Sequence, residues 1–79
     1  MGNIAVKFGQ ALRRCRTERN LSQETLAFET NVDRVFISHI EQGLKQPTIT
    51  TIVKLARGLG ISPSDLVSEM EEETSGESD

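Results

Sequence analysis

The chain has one cysteine, Cys15, one histidine, His39, and neither tryptophan nor tyrosine. A lone cysteine excludes an intramolecular disulfide, and one Cys with one His cannot furnish a Cys/His zinc cluster. There is no glycine-rich phosphate loop and no nucleophile spaced with a base. The sequence therefore predicts no enzyme, no catalytic residue, no cofactor and no metal. No apolar run approaches the length of a membrane span, and the start lacks the apolar stretch of a secretory leader. The expected location is the cytoplasm or nucleoid, with no membrane partner. At 79 residues the chain is near the lower limit for an unstapled core, so every apolar stripe has to be used.

Charge is present but unevenly placed. The net charge is −3. Residues 1–68 hold all nine Lys and Arg against six acids, a balance of +3, and residues 69–79 hold six acids and no base. A mildly basic head suits nucleic acid. The polar tail EMEEETSGESD reads as a disordered end that aids solubility. The expected division is a DNA-binding domain over residues 1–68 and an acidic, unstructured tail over 69–79.

Periodicity and caps predict five helices and no strand. Ile4, Phe8, Ala11, Leu12 and Cys15 recur at spacings of three and four, which gives a first helix over Ile4 to Glu18 with one buried stripe. Ser22 caps a second helix, with Leu21 and Leu26 placed as a hydrophobic staple. Asp33 caps a third, which Gly43 ends in a left-handed conformation. A fourth follows Thr48, carries Ile49, Ile52, Val53 and Ala56 on one face with Leu55 and Leu59 flanking, and closes at Gly58 and Gly60. Ser62, Pro63 and Asp65 start the fifth, and its apolar residues are Leu66, Val67 and Met70.

The segment from Gln23 to Gln42 is the most informative. It reads as two short helices joined by a tight turn at Asn31, where the backbone needs a left-handed residue that Asn tolerates. Ala27 permits close approach of the two helices. Leu26, Val32, Ile37 and Ile40 point inward, leaving Arg34, Val35, Ser38 and His39 on the outer face of the second. A helix so exposed, fixed at a steep angle to its neighbour, is suited to the DNA major groove.

The chain resembles the Cro and phage-repressor (XRE) family of helix-turn-helix regulators. The resemblance rests on Leu21-Ser22-Gln23-Glu24-x-Leu26-Ala27, on Ile37-Ser38-x-Ile40-Glu41-x-Gly43, on Pro47 and on Leu55-Ala56-x-x-Leu59-Gly60. It spans about residues 4–68 and implies a compact, all-α, five-helix bundle of the lambda-repressor-like type. The Asp33 to Glu41 stretch, DRVFISHIE, is similar to controller proteins of restriction–modification systems. Asn31 stands where the family usually has glycine, and Thr30 where it usually has an apolar residue.

The resemblance implies roles residue by residue. Gln23, Lys45 and Gln46 match phosphate-gripping positions, and a helix N-terminus such as that at Gln23 is physically an anion site. Arg34, Val35, Ser38 and His39 match positions facing base edges, with His39 open to base or phosphate. Arg34 can bond guanine through its planar fork, although an exposed arginine at a helix start is the bland alternative. Phe36 matches a position that lies against the DNA backbone or a thymine methyl. Arg16 and Glu41 match a structural salt bridge. Lys7, Arg13 and Arg14 are further candidates for phosphate contact, with a solvated face the better reading for Arg14, and Lys54 and Arg57 are assigned to the surface.

One such domain covers too little DNA to bind tightly, so a homodimer on an inverted-repeat operator is expected, with helix 33–42 in the major groove. Leu59, Ile61, Leu66, Val67 and Met70 are the apolar residues nominated for the dimer contact; closing the monomer core is their alternative use. The leading reading is a sequence-specific transcription regulator on double-stranded DNA. It would act as repressor or activator by covering or flanking a promoter or by touching RNA polymerase. The alternative is an antitoxin or other protein-interaction module, for which the acidic end is short and poor in apolar residues.

Overall fold

The computed structural model describes residues 3–74, with side chains described to residue 71. These residues form α1 (Ile4–Glu18), α2 (Gln23–Thr30), α3 (Arg34–Glu41), α4 (Ile49–Leu59) and α5 (Pro63–Thr74), with no strand among them. The architecture is the all-α bundle that the periodicity predicts. α1 packs on α3 and α5, α2 on α3 and α4, and α4 on α5. The shared core is Phe8, Leu12, Cys15, Leu26, Val32, Ile37, Ile40, Leu55, Ala56, Leu59 and Leu66. Such aliphatic burial is the main favourable term in so short a chain.

The starts of the helices follow local chemistry. Ser22 Oγ accepts from Thr25 N at 3.0 Å, Asp33 Oδ1 from Val35 N at 2.8 Å, Thr48 Oγ1 from Thr51 N at 3.2 Å and Ser62 Oγ from Asp65 N at 3.1 Å. Each satisfies a backbone donor that has no partner inside its helix. Asn3 does the same for α1, accepting from Ala5 N at 2.8 Å. Asn31 ends α2 at φ 58°, ψ 33°, the left-handed conformation expected of the turn. Gly43 lies at φ +77° after α3, where Leu44 N donates to His39 O at 2.9 Å.

Four expectations are corrected. On α1 the buried face is Ala5, Phe8, Leu12 and Cys15 with Ala11, whereas Ile4 at the first helical position is 56% exposed. On α4 the buried face is Leu55, Ala56 and Leu59 led by half-buried Ile52, and Ile49 is 80% exposed. In both helices the apolar pattern runs one residue past the face that meets a neighbour. Gly58 does not end α4; it lies inside the helix, which closes at Gly60 with φ +74°. A Cβ at Gly58 would strike the Thr30 methyl and approach Leu26 Cδ1, so its hydrogen permits α4 to cross α2.

The fourth correction concerns the tail. Helix α5 passes the boundary at residue 68 and continues to Thr74. Met70 packs against the core, and Glu69 accepts from Arg14 of α1 through Oε1 at 2.5 Å and through its carbonyl at 3.2 Å. These anchors, with the good helix propensity of Glu, outweigh the poor match of acids to a helix C-terminus. The rest of the expected tail, 75–79, lies outside the described residues.

Candidate nucleic-acid interface

Helix α3 is held so that one face is buried and the other open. Ile37 and Ile40 are fully buried, and Val32, just before the helix, is buried beside them. The opposite face carries Arg34 and Val35, both exposed, and Ser38 and His39, both half-buried. The four residues nominated as base readers therefore share one surface, in the i, i+1, i+4, i+5 pattern that a 3.6-residue period brings together. Gln42 joins them: its Nε2 donates to Ser38 Oγ at 2.8 Å. It went unremarked in the sequence although its i+4 spacing from Ser38 signals the contact. Phe36 is half-buried and packed against the core, so part of its ring serves the fold rather than an outer surface.

The N-terminus of α2 is tied to the end of α3 through a buried ion pair. Arg16 Nε donates to Glu41 Oε2 at 2.6 Å and Arg16 Nη2 to Glu41 Oε1 at 2.9 Å. The side chains are only 11% and 4% exposed. Arg16 Nη1 also donates to the Leu21 carbonyl at 2.7 Å, just before α2. The hydrogen bond to Glu41 raises the Arg16 pKa further above its ordinary value against the opposing cost of burial. Gln23 Nε2 donates to Glu41 Oε1 at 3.1 Å, so the first residue of α2 belongs to the same network.

Lys45 and Gln46 lie exposed in the loop after α3. Gln46 also borders an apolar pocket of about 230 Å³ walled by Ile4, Phe8, Pro47, Ile52, Val67 and Met70. Two other arginines are engaged with protein. Arg14 is held by Glu69, and its pKa is raised by that hydrogen bond. Arg19 Nε donates to the Leu59 carbonyl at 2.8 Å and Nη1 to the Cys15 carbonyl at 3.0 Å, joining the ends of α1 and α4. No sequence signal pairs a base near residue 19 with a carbonyl forty residues on.

The nominated dimer residues divide. Leu59 and Leu66 are buried in the monomer core and are not available to a second copy. Ile61 and Met70 are half-buried against that core, and Val67 is exposed. The residues on α4 and α5 fill the single chain's own interior first, because a domain this small has few others to use. The large apolar side chains left exposed among the described residues are Ile4, Val6, Phe28, Val35, Leu44, Ile49 and Val67. Among the described residues there is no group of three or more His, Cys, Asp or Glu placed to hold a metal, and no helix long and apolar enough to cross a membrane.

Two short helices at a fixed angle, the second with a polar and exposed outer face, define a helix-turn-helix domain. A family model described as Helix-turn-helix matches residues 12–66, and the chain belongs to that family, in the group of restriction–modification controller proteins. It is 42% identical over 66 residues to the control protein C.BamHI of Bacillus amyloliquefaciens, covering 82% of each chain. It is 38% identical over 74 residues to the control protein C.MunI of a Mycoplasma species, covering 92% of this chain and 100% of that one. Among solved structures it is similar to the controller protein C.AhdI of Aeromonas hydrophila, with TM-score 0.76 and 47% identity over 78% of this chain and 94% of that one. It is also similar to the controller protein C.Esp1396I, solved as a tetramer in complex with its natural 35-base-pair operator, with TM-score 0.83 and 27% identity over 92% and 96% of the two chains.

Proposed function

We propose that this protein is a sequence-specific, DNA-binding transcription regulator of the controller type, acting as a homodimer on an inverted-repeat operator. The observation that carries the reading is the outer face of α3, where Arg34, Val35, Ser38 and His39 stand together on a helix whose other face is locked into the core. In this reading α3 enters the major groove, Arg34 bonds guanine, and Val35 meets a thymine methyl. Ser38 and His39 read further along the helix. Gln23, Lys45 and Gln46, with the outer edge of Phe36, hold the phosphate chain and set the register.

The second copy packs on the exposed apolar side chains of Ile4 and Val67, at the pocket they line with Met70. Two domains related by a two-fold axis then read half-sites about one helical turn apart. The operator-bound tetramer of C.Esp1396I supports multimeric binding as the working form. Regulation follows from occupying or flanking a promoter, by contact with RNA polymerase in the activating case, and needs no chemistry by the protein.

The test is selection of bound duplexes from a randomised DNA pool, followed by sequencing. Enrichment of an inverted repeat with half-sites about 10 base pairs apart is the expected result. A folded protein that enriches no sequence overturns the reading.

A further inference from the structure

Resting on that DNA-binding reading, we propose that Glu41 is a positioning residue for the phosphate contact of Gln23, fixing its side-chain amide before DNA arrives. Glu41 is the last residue of α3 and Gln23 the first of α2. The Gln23 amide donates to Glu41 Oε1 at 3.1 Å, and the same carboxylate takes both Arg16 donors at 2.6 and 2.9 Å. The carboxylate has no proton to give, so it accepts only, and the Gln23 amide has to present its NH2 rather than its oxygen to it. That settles which way round the amide sits. One of its two N–H groups is used, and the other remains to donate to a phosphate oxygen.

The pair with Arg16 is what makes Glu41 a fixed anchor. Its side chain is 4% exposed, and Arg16 is itself tied to the Leu21 carbonyl at 2.7 Å. Gln23 therefore hangs from a rigid, buried group instead of sampling rotamers in water. A side chain ordered in advance loses less freedom on binding, which corresponds to about two- to ten-fold in affinity. The arrangement also links the two DNA-facing helices: the carboxylate that closes the reading helix orients the contact that grips the backbone.

The experiment is a double-mutant cycle in DNA affinity with Gln23→Ala, Glu41→Gln and the double variant, on operator and on random duplex over a range of salt. Gln23→Ala is expected to weaken binding to every duplex and to lower the salt slope by about one phosphate's share. Glu41→Gln is expected to weaken binding about two- to ten-fold more where Gln23 is present than where it is absent. The lost negative charge acts in both backgrounds alike and cancels in the cycle. Equal effects of Glu41→Gln in both backgrounds overturn the positioning role, since they would mean that Glu41 acts only through the fold. If Glu41→Gln does not fold, nitrogen relaxation of the Gln23 side-chain amide in the free wild-type protein decides. An ordered amide supports the proposal, and an order parameter below about 0.6 overturns it. Wild-type protein that binds no duplex overturns the DNA reading itself, and this proposal with it; wild-type binding without coupling overturns the positioning alone.

Discussion

Gly9 of α1 faces Ile40 of α3 so closely that a Cβ at Gly9 would strike the Ile40 carbonyl oxygen, with the Glu41 carbonyl also within 2.9 Å. The obstacle is backbone, which cannot swing aside as a side chain can. Gly9→Ala therefore forces α1 and α3 apart. Alanine gains up to about 1 kcal/mol in helix propensity, but overpacking against backbone costs about 1–3 kcal/mol. The expected net result is a lower melting temperature despite the better helix former, read by circular dichroism. An unchanged or higher value would mean that the two helices separate freely.

Arg16 and Glu41 predict a non-additive pattern. Removing either partner leaves the other charged and buried, so Arg16→Met and Glu41→Leu should each destabilise by about 3 kcal/mol. Replacing both, as Arg16→Met with Glu41→Leu, should cost less than the two single losses combined, because no uncompensated charge remains. Urea unfolding of the four proteins measures this. Additive losses would argue that the pair does not act as a unit.

Arg34 is exposed at the start of α3, where a positive charge is slightly disfavoured by the helix dipole. Arg34→Ala should leave stability within experimental scatter and relax base preference at one position per half-site, by roughly 1–3 kcal/mol. Repeating the duplex selection with the variant tests it. A preference identical to wild type would remove Arg34 from the readers.

Lys45 lies in the exposed loop after α3. Lys45→Ala should weaken binding to operator and random duplex alike and reduce the salt slope by about one. Affinities measured between low and moderate salt give both quantities. A loss restricted to the operator would point to base readout instead.

Cys15 sits in the core, and burial pushes its thiol pKa up. The folded state thus holds the thiol proton more tightly than the unfolded chain does. The resulting stability is fully present below the ordinary thiol pKa of about 8.5 and is lost as pH rises through the higher folded value. Wild type should lose more stability between neutral pH and pH about 10 than Cys15→Ala, which has no thiol to titrate. Parallel losses in the two proteins would show that the thiol contributes nothing to the dependence.

Local chemistry in the sequence determined where the helices begin and how the turn at Asn31 is made. Caps such as Ser22, Asp33 and Ser62 act on backbone groups two or three residues away, and a left-handed residue such as Asn31 or Gly43 acts on its own dihedral angles. The outer face of α3 was legible for the same reason, since a helical period fixes which residues share a side. The tertiary structure decided how the apolar residues divide between the core and the surface. Ile4 and Ile49 fit the apolar period of their helices and still face out, while Leu59 and Leu66 are spent on the interior. It also decided that Gly9 and Gly58 are crossing points, that Arg19 reaches Leu59, and that Arg14 with Glu69 carries α5 past residue 68. Each of these depends on which surface of one helix meets which surface of another. Residues forty or fifty positions apart carry no local signal of that meeting, because it is set by the joint packing of all five helices.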